Sequence, residues 1–244
     1  MDYDYWKKYF DENKTHFADI DWQAEDQLRP DEKKLIASSL QQFQKGENSE
    51  GKHLFAYAKT FPDPLYVDCI RLFIREEQMH AKVLGSFMRR YGIPTIKGHW
   101  VDSVFRNLRK LAGIQNTIMI LLIAEIISKV YYAALKKATG SGLLQKICNQ
   151  VLKDEDYHIS FQCFTLQFLF KGRSVFRMFL TRTLYFILMN GTIVIVWLYH
   201  QSVLSKAGYS FWTFRNAVMA VYHECEARIL NREIHRADPG ILFP

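Results

Sequence analysis

The sequence predicts an all-α fold, a four-helix bundle followed by additional C-terminal helices. Three observations carry that prediction. Metal-type side chains recur at one offset: Glu47, Glu77 and His80 reappear 78 positions later as Glu125, Glu155 and His158. Each set has one Glu and, thirty residues on, a Glu-x-x-His whose two members share one helix face. Pro and Gly are few, six and twelve among 244 residues, and they cluster at breaks between long uninterrupted stretches. The short breaks fall inside each half and the longer connection falls between the halves, as in a bundle with one crossover.

Residues 1–30 form a polar lead-in whose Trp6, Phe10, Phe17 and Trp22 are expected to pack onto the bundle. Pro30-Asp31-Glu32 starts a helix, with Pro and acids in the first turn. That helix is predicted over 31–60, with Leu35, Leu40, Phe43, Leu54 and Tyr57 approximating one stripe. Phe61-Pro62-Asp63-Pro64 breaks it, and a second helix is predicted over 64–91, ended by Gly92 and Pro94. A connection over 92–101 leads to a third helical region that runs to residue 138. Thr139-Gly140-Ser141-Gly142 precedes a fourth helix over 143–171. The division is thus a lead-in at 1–30, the bundle at 31–171, and additional helices of the same domain at 172–244.

The C-terminal stretch reads as two more helices. Its apolar run, Leu184 to Tyr199, contains Asn190, Gly191 and Thr192, with Arg177 and Arg182 upstream. The run falls short of the roughly 20 apolar residues a spanning helix needs. The expectation is therefore no membrane span, and either a buried helix covering the bundle or a helix at a homodimer interface.

Charged residues at 23% and hydrophobic residues at 49% exclude a disordered chain. Cys69, Cys148, Cys163 and Cys225 form no Cys-x-x-Cys pair, which excludes a rubredoxin-type or zinc-ribbon module. The start lacks the apolar core of a secretory signal, so a reduced, cytoplasmic protein is expected. The net charge is +7, with Arg89, Arg90, Lys97, Arg106, Arg109 and Lys110 concentrated around one loop. That cluster is either a solvated face or a docking patch for an acidic electron-transfer partner. No aromatic-basic module of a known nucleic-acid-binding type is visible.

Two lone carboxylates and two Glu-x-x-His pairs, one group from each of four helices, make the ligand set of dimetal carboxylate bundles. Glu50-x-x-His53 serves as a control, because the same shift lands on Ser128 and Tyr131 and leaves it without a counterpart. Carboxylate and imidazole donors without thiolates suit iron or manganese over structural zinc. Four carboxylates neutralise two divalent cations; without metal they would repel one another and raise their own pKa values. Glu76 and Asp154 each precede a Glu-x-x-His, and either can orient a ligand imidazole. A solvent-facing acid is the other reading at both positions.

The segments around Gly46-Glu47, Glu77-x-x-His80, Leu121-Leu-Ile-Ala-Glu125 and Lys153-Asp-Glu155-x-x-His158 resemble the ferritin-like di-iron oxygenase superfamily. Within it, the segments are similar to the aldehyde-deformylating oxygenases, with a similar Gly-Glu start, a Pro fifteen residues on (Pro62) and a Lys-Asp-Glu-x-x-His motif. The resemblance covers about 31–170. It implies two iron ions, or a manganese and an iron, that activate O2 with electrons from an external donor. It does not name the reaction. The expected substrate is a mostly apolar small molecule, with Phe55, Phe73, Leu84 and Ile127 as candidate pocket residues. The alternatives are a ferroxidase or peroxide-detoxifying iron protein of the ferritin or rubrerythrin kind, and a metalloprotein without redox activity.

The halves differ at positions that bear on chemistry. Lys129 lies one turn after Glu125, where the first half has Gly51. Lys129 is a proton donor, an ion-pair partner or a side chain that snorkels outward; Gly51 is an opening or a close helix contact. Tyr132 and Tyr157 lie near ligand positions, as hydrogen-bonding, radical-carrying or structural residues. A radical-bearing reductase subunit would place a Tyr where this chain has Leu84. His53 and His200 read as structural or exposed, and His223 with Glu224 and Glu226 as a further candidate ligand cluster.

Overall fold

A computed structural model describes residues 2–48, 51–98 and 113–230. Every regular element among them is a helix. Glu50, Arg106, Arg109 and Lys110 lie outside the described residues. The chain divides into two compact units, residues 1–117 with 139–151, and residues 118–138 with 152–244.

The first unit opens on α1 (Tyr3–Glu12), whose N-terminus is capped by Asp2 accepting from the Tyr5 amide at 2.9 Å. Tyr3, Trp6 and Phe10 recur at helical spacing and are buried. A short 3-10 turn follows at Asn13–Thr15. The lead-in thus packs as expected at Trp6, Phe10 and Phe17, while Trp22 is half-buried. Arg90 donates to the carbonyls of Trp22 and Ala24, at 2.7 and 2.8 Å, and ties the end of the lead-in to the C-terminus of α4.

The helix predicted over 31–60 is two helices, α2 (Pro30–Glu47) and α3 (Lys52–Ala58). Gly51 caps α3 in the left-handed region at φ +61°, which no residue inside an α-helix adopts. A Cβ at Gly51 would also run into the Ile74 side chain of α4. Gly51 is therefore a close contact, not an opening. α4 (Pro64–Arg90) agrees with the prediction of 64–91: Asp63 caps it by accepting from the Leu65 amide at 2.9 Å. α1, α2 and α3 all pack on α4, around Ile36, Leu40, Leu84, Phe87 and Met88.

α5 (Gly113–Ala138) and α6 (Gly142–Phe170) are the third and fourth predicted helices. The turn between them belongs to the first unit. There the buried Glu32 accepts from the Thr139 hydroxyl and, at 2.9 Å, from the Gly140 amide. Asp26 accepts from Ser141 Oγ at 2.5 Å, Tyr91 OH at 2.6 Å and the Leu143 amide at 3.1 Å.

The second unit contains α7 (Val175–Lys206), capped by Ser174, and α8 (Phe211–Leu230) packed on it. Met189, Ile193 and Val196 of α7 and Phe214 and Val218 of α8 are buried. Arg215 Nε donates to Asn190 Oδ1 at 3.1 Å. α5 and α7 are each long and apolar enough to cross a membrane, by length and composition alone. They differ in burial: 78% of the most apolar window of α5 is buried within the protein, against 28% for α7. Of the two places expected for α7, the buried one is therefore corrected, and so is the argument that its apolar run is too short to span, since the helix runs 32 residues. Its apolar side chains exceed what one neighbouring face can cover.

Candidate metal centre

In the first unit, Glu47 ends α2, and Glu77 and His80 lie one turn apart on α4. Each offers one donor atom, and the three atoms lie within 4.8 Å of one another. His80 is completely buried, with its Nδ1 3.5 Å from Glu77 Oε1, and Glu47 is buried as well. Gln44, one turn before Glu47, donates to the Ala81 carbonyl at 3.2 Å and holds α2 against α4 beside this group. The lead-in closes the other side: the Phe17 ring meets the His80 ring edge-on at 5.8 Å.

Glu76 is buried and faces the lead-in, not solvent. It accepts from Asn13 Nδ2, and His16 Nδ1 lies 3.4 Å from the same carboxylate oxygen. The His16 ring is 6.2 Å from that of His80. His16 went unread in the sequence, because it sits in an irregular turn where no periodicity marks a buried imidazole.

The second unit repeats the arrangement. Glu125 on α5 and Glu155 and His158 on α6 are buried and bring three donor atoms within 4.8 Å of one another. His158 Nδ1 lies 3.7 Å from Glu125 Oε2 and 3.8 Å from Glu155 Oε2. On the other Glu125 oxygen, Gln162 Nε2 donates at 3.0 Å. Burial opposes ionisation of Glu125, but its neighbours Glu155 and His158 and the hydrogen bond from Gln162 outweigh it and hold the carboxyl below its ordinary value, opposite to the rise expected from repulsion alone. Asp154 is also fully buried, which removes its solvent-facing reading.

Gln162 also went unread, although the repeat contained the signal. It lies one turn after His158, and 78 positions before it stands Leu84, which is fully buried and apolar. Only the second unit therefore has an amide donor at this position. Gln162 Oε1 is buried and has no hydrogen-bond partner among the described residues.

The remaining candidates separate into distinct roles. Lys129 is half-buried and ion-paired to Asp156; burial pushes its ammonium below the ordinary value, against the pull of that carboxylate. Tyr132 is fully buried and packs edge-on against Tyr131 at 5.4 Å, and Tyr157 is half-buried. His200 is buried against Tyr131, and His53 is exposed. Glu224 and Glu226 are engaged by arginines, Glu226 with Arg182 at 3.0 Å and Glu224 with Arg228 at 2.8 Å, and His223 Nδ1 lies 3.1 Å from Glu226, so the three do not form a ligand cluster.

The expected pocket residues differ in burial. Phe73, Leu84 and Ile127 are buried, and Phe55 lies under the cations of Lys59 and Arg71. An apolar pocket does occur within the second unit. Met119, Leu122, Ile123 and Ile126 of α5 line it from the helix that carries Glu125, with Met178 of α7 and Tyr222 of α8 opposite.

Each unit thus gathers two carboxylates and an imidazole, all but the half-buried Glu77 buried, into a group that could hold a metal ion. No family model matches the chain, and no curated protein matches it in sequence.

Proposed function

We propose that this chain is a non-haem dimetal oxidoreductase of ferritin-like, four-helix architecture, using O2 and an external electron donor on a mostly apolar small molecule. The observation that carries the reading is the duplicated donor set: each compact unit collects its own Glu and Glu-x-x-His at the positions the offset of 78 selects, five of the six buried and Glu77 half-buried. Surface acids and histidines have no reason to become buried in register twice, because an unpaired buried carboxylate is costly.

In this reading Glu47, Glu77 and His80 hold one part of an iron pair, or a manganese and iron pair, and Glu125, Glu155 and His158 the other. The four carboxylates balance two divalent charges. When bound, the metals would supply one-electron steps and dioxygen reduction, chemistry that no side chain of the chain offers. Gln162 fixes the orientation of the Glu125 carboxylate, as outer-shell donors do at metal ligands. Asn13 and His16 anchor Glu76 behind His80. Lys129 neutralises Asp156 next to Glu155, and the apolar pocket lined in part by α5 suits a substrate with little polar surface.

The experiment is anaerobic loading with Fe(II) followed by exposure to O2. Two metals per chain in the parent protein are expected, with both Glu47→Ala and Glu125→Ala losing metal. Retention of two metals by both variants refutes the assignment. Catalytic consumption of O2 with a reductant supports an oxidoreductase; release of a ferric mineral assigns iron storage instead, and no reaction with O2 sinks both redox readings.

A further inference from the structure

We propose that the outer face of α7 is a docking surface for an anionic lipid bilayer. Phe176, Leu180, Leu184, Ile187, Val194 and Leu198 are all exposed, from 45% at Val194 to 70% at Phe176. At 3.6 residues per turn they fall, with Gly191, within a stripe about 80° wide and roughly 33 Å long. A contiguous apolar strip of that size marks an interaction surface, because soluble surfaces scatter their large apolar side chains singly. The opposite face of α7, with Tyr185, Met189, Ile193 and Val196, is buried. The helix is therefore fixed on the protein with one side turned outward, as in helices that lie in the membrane interface.

Charge selects the occupant. Between residues 171 and 206 the chain carries Lys171, Arg173, Arg177, Arg182 and Lys206 and no Asp or Glu. Lys171, Arg173 and Arg177 are exposed around the first turns of α7, beside Phe176. A second copy of the chain laid on this stripe would set cations against cations or against apolar groups, since α7 holds no carboxylate to meet them. Anionic headgroups provide the matching charge, and acyl chains match the stripe. Trp212 at the start of α8 and Tyr199 on α7 are exposed aromatics of the type that settles at the headgroup level. The inference stands apart from the metal reading and does not need it.

The test is flotation of the full-length protein with vesicles of phosphatidylcholine alone and of phosphatidylcholine with phosphatidylglycerol. Binding to the anionic vesicles is expected, with at least a tenfold loss for the double variant Leu184→Asp, Ile187→Asp and a smaller loss for Arg177→Glu. Helix content and bound metal should stay unchanged in both, because all three side chains are exposed. The proposal is overturned if the parent protein ignores anionic vesicles, or if it is a dimer that the double variant dissociates. Resistance of membrane-bound protein to alkaline carbonate overturns it too, in favour of a spanning helix.

Discussion

Replacing Gln162 by Leu, the residue its first-half counterpart already is, separates ligand orientation from packing. Two terms oppose each other in the metal-free protein. Glu125 Oε1 loses its 3.0 Å donor, while Oε2 keeps His158 at 3.7 Å. A hydrogen bond to a charged group contributes about 1.5–3 kcal/mol. The substitution also removes Gln162 Oε1, a buried acceptor without a partner among the described residues, and such a group costs about 1–3 kcal/mol. The two nearly cancel, so metal-free stability should change by about 1 kcal/mol or less. Metal affinity has no such offset. Loss of an outer-shell donor typically weakens binding about 10–100-fold, which is about 1.4–2.7 kcal/mol. The assay is an anaerobic Fe(II) titration against a competing chelator, beside urea unfolding of the metal-free protein. An affinity within twofold of the parent protein would refute the argument. So would a metal-free destabilisation above about 3 kcal/mol, because it would make Gln162 a packing residue. The pH dependence has a definite sign: the Glu125 carboxyl is depressed in the folded state, so its contribution is present above the unfolded value and lost as pH falls through the folded one. Without Gln162 the folded value rises, and acid unfolding should begin at higher pH.

Asp26→Ala should cost about 1–3 kcal/mol in urea unfolding near neutrality, since the carboxylate accepts from Ser141, Tyr91 and the Leu143 amide. Burial opposes ionisation of Asp26, but these hydrogen bonds hold its pKa below the ordinary value. The gap between parent and variant should therefore close in acid, as pH falls through the folded value. Gly51→Ala should destabilise by about 1–3 kcal/mol, from the positive φ and the Ile74 contact together; a neutral result would show that α2 and α3 can be joined differently. Trp6→Ala, at a fully buried indole, should cost about 3–5 kcal/mol by the same measurement. Metal at a hundredfold excess over its Kd should raise unfolding stability by about 2.7 kcal/mol, and a chelator should reverse the gain.

The helix order from α4 to α8 was legible because each break carries its own chemistry. Pro64 behind Asp63, Gly92 before Pro94, and the Thr139–Gly142 turn act within a few residues and leave a local signature. The break at Gly51 was missed, since one Gly inside an apolar periodicity reads as tolerable until Ile74 is seen to occupy the space of a Cβ. The six residues that the structure gathers into two carboxylate–imidazole groups were legible through their repeat. The groups that position them were legible only in part: Gln162 follows from comparing the halves, whereas Asn13 and His16 reach Glu76 across sixty or more positions of chain.

The sequence by itself determined the all-helical class, most helix ends and which Glu and His residues belong together, because capping, periodicity and spacing are local properties. Only the tertiary structure decided that each unit brings its Glu, Glu and His together, with all but Glu77 buried, and that Glu76 is gripped by the lead-in. It also decided that α7 turns an apolar stripe outward. Burial and partner choice depend on what lies opposite a side chain. For α7, hydropathy alone reads the same whether protein, lipid or solvent faces the helix.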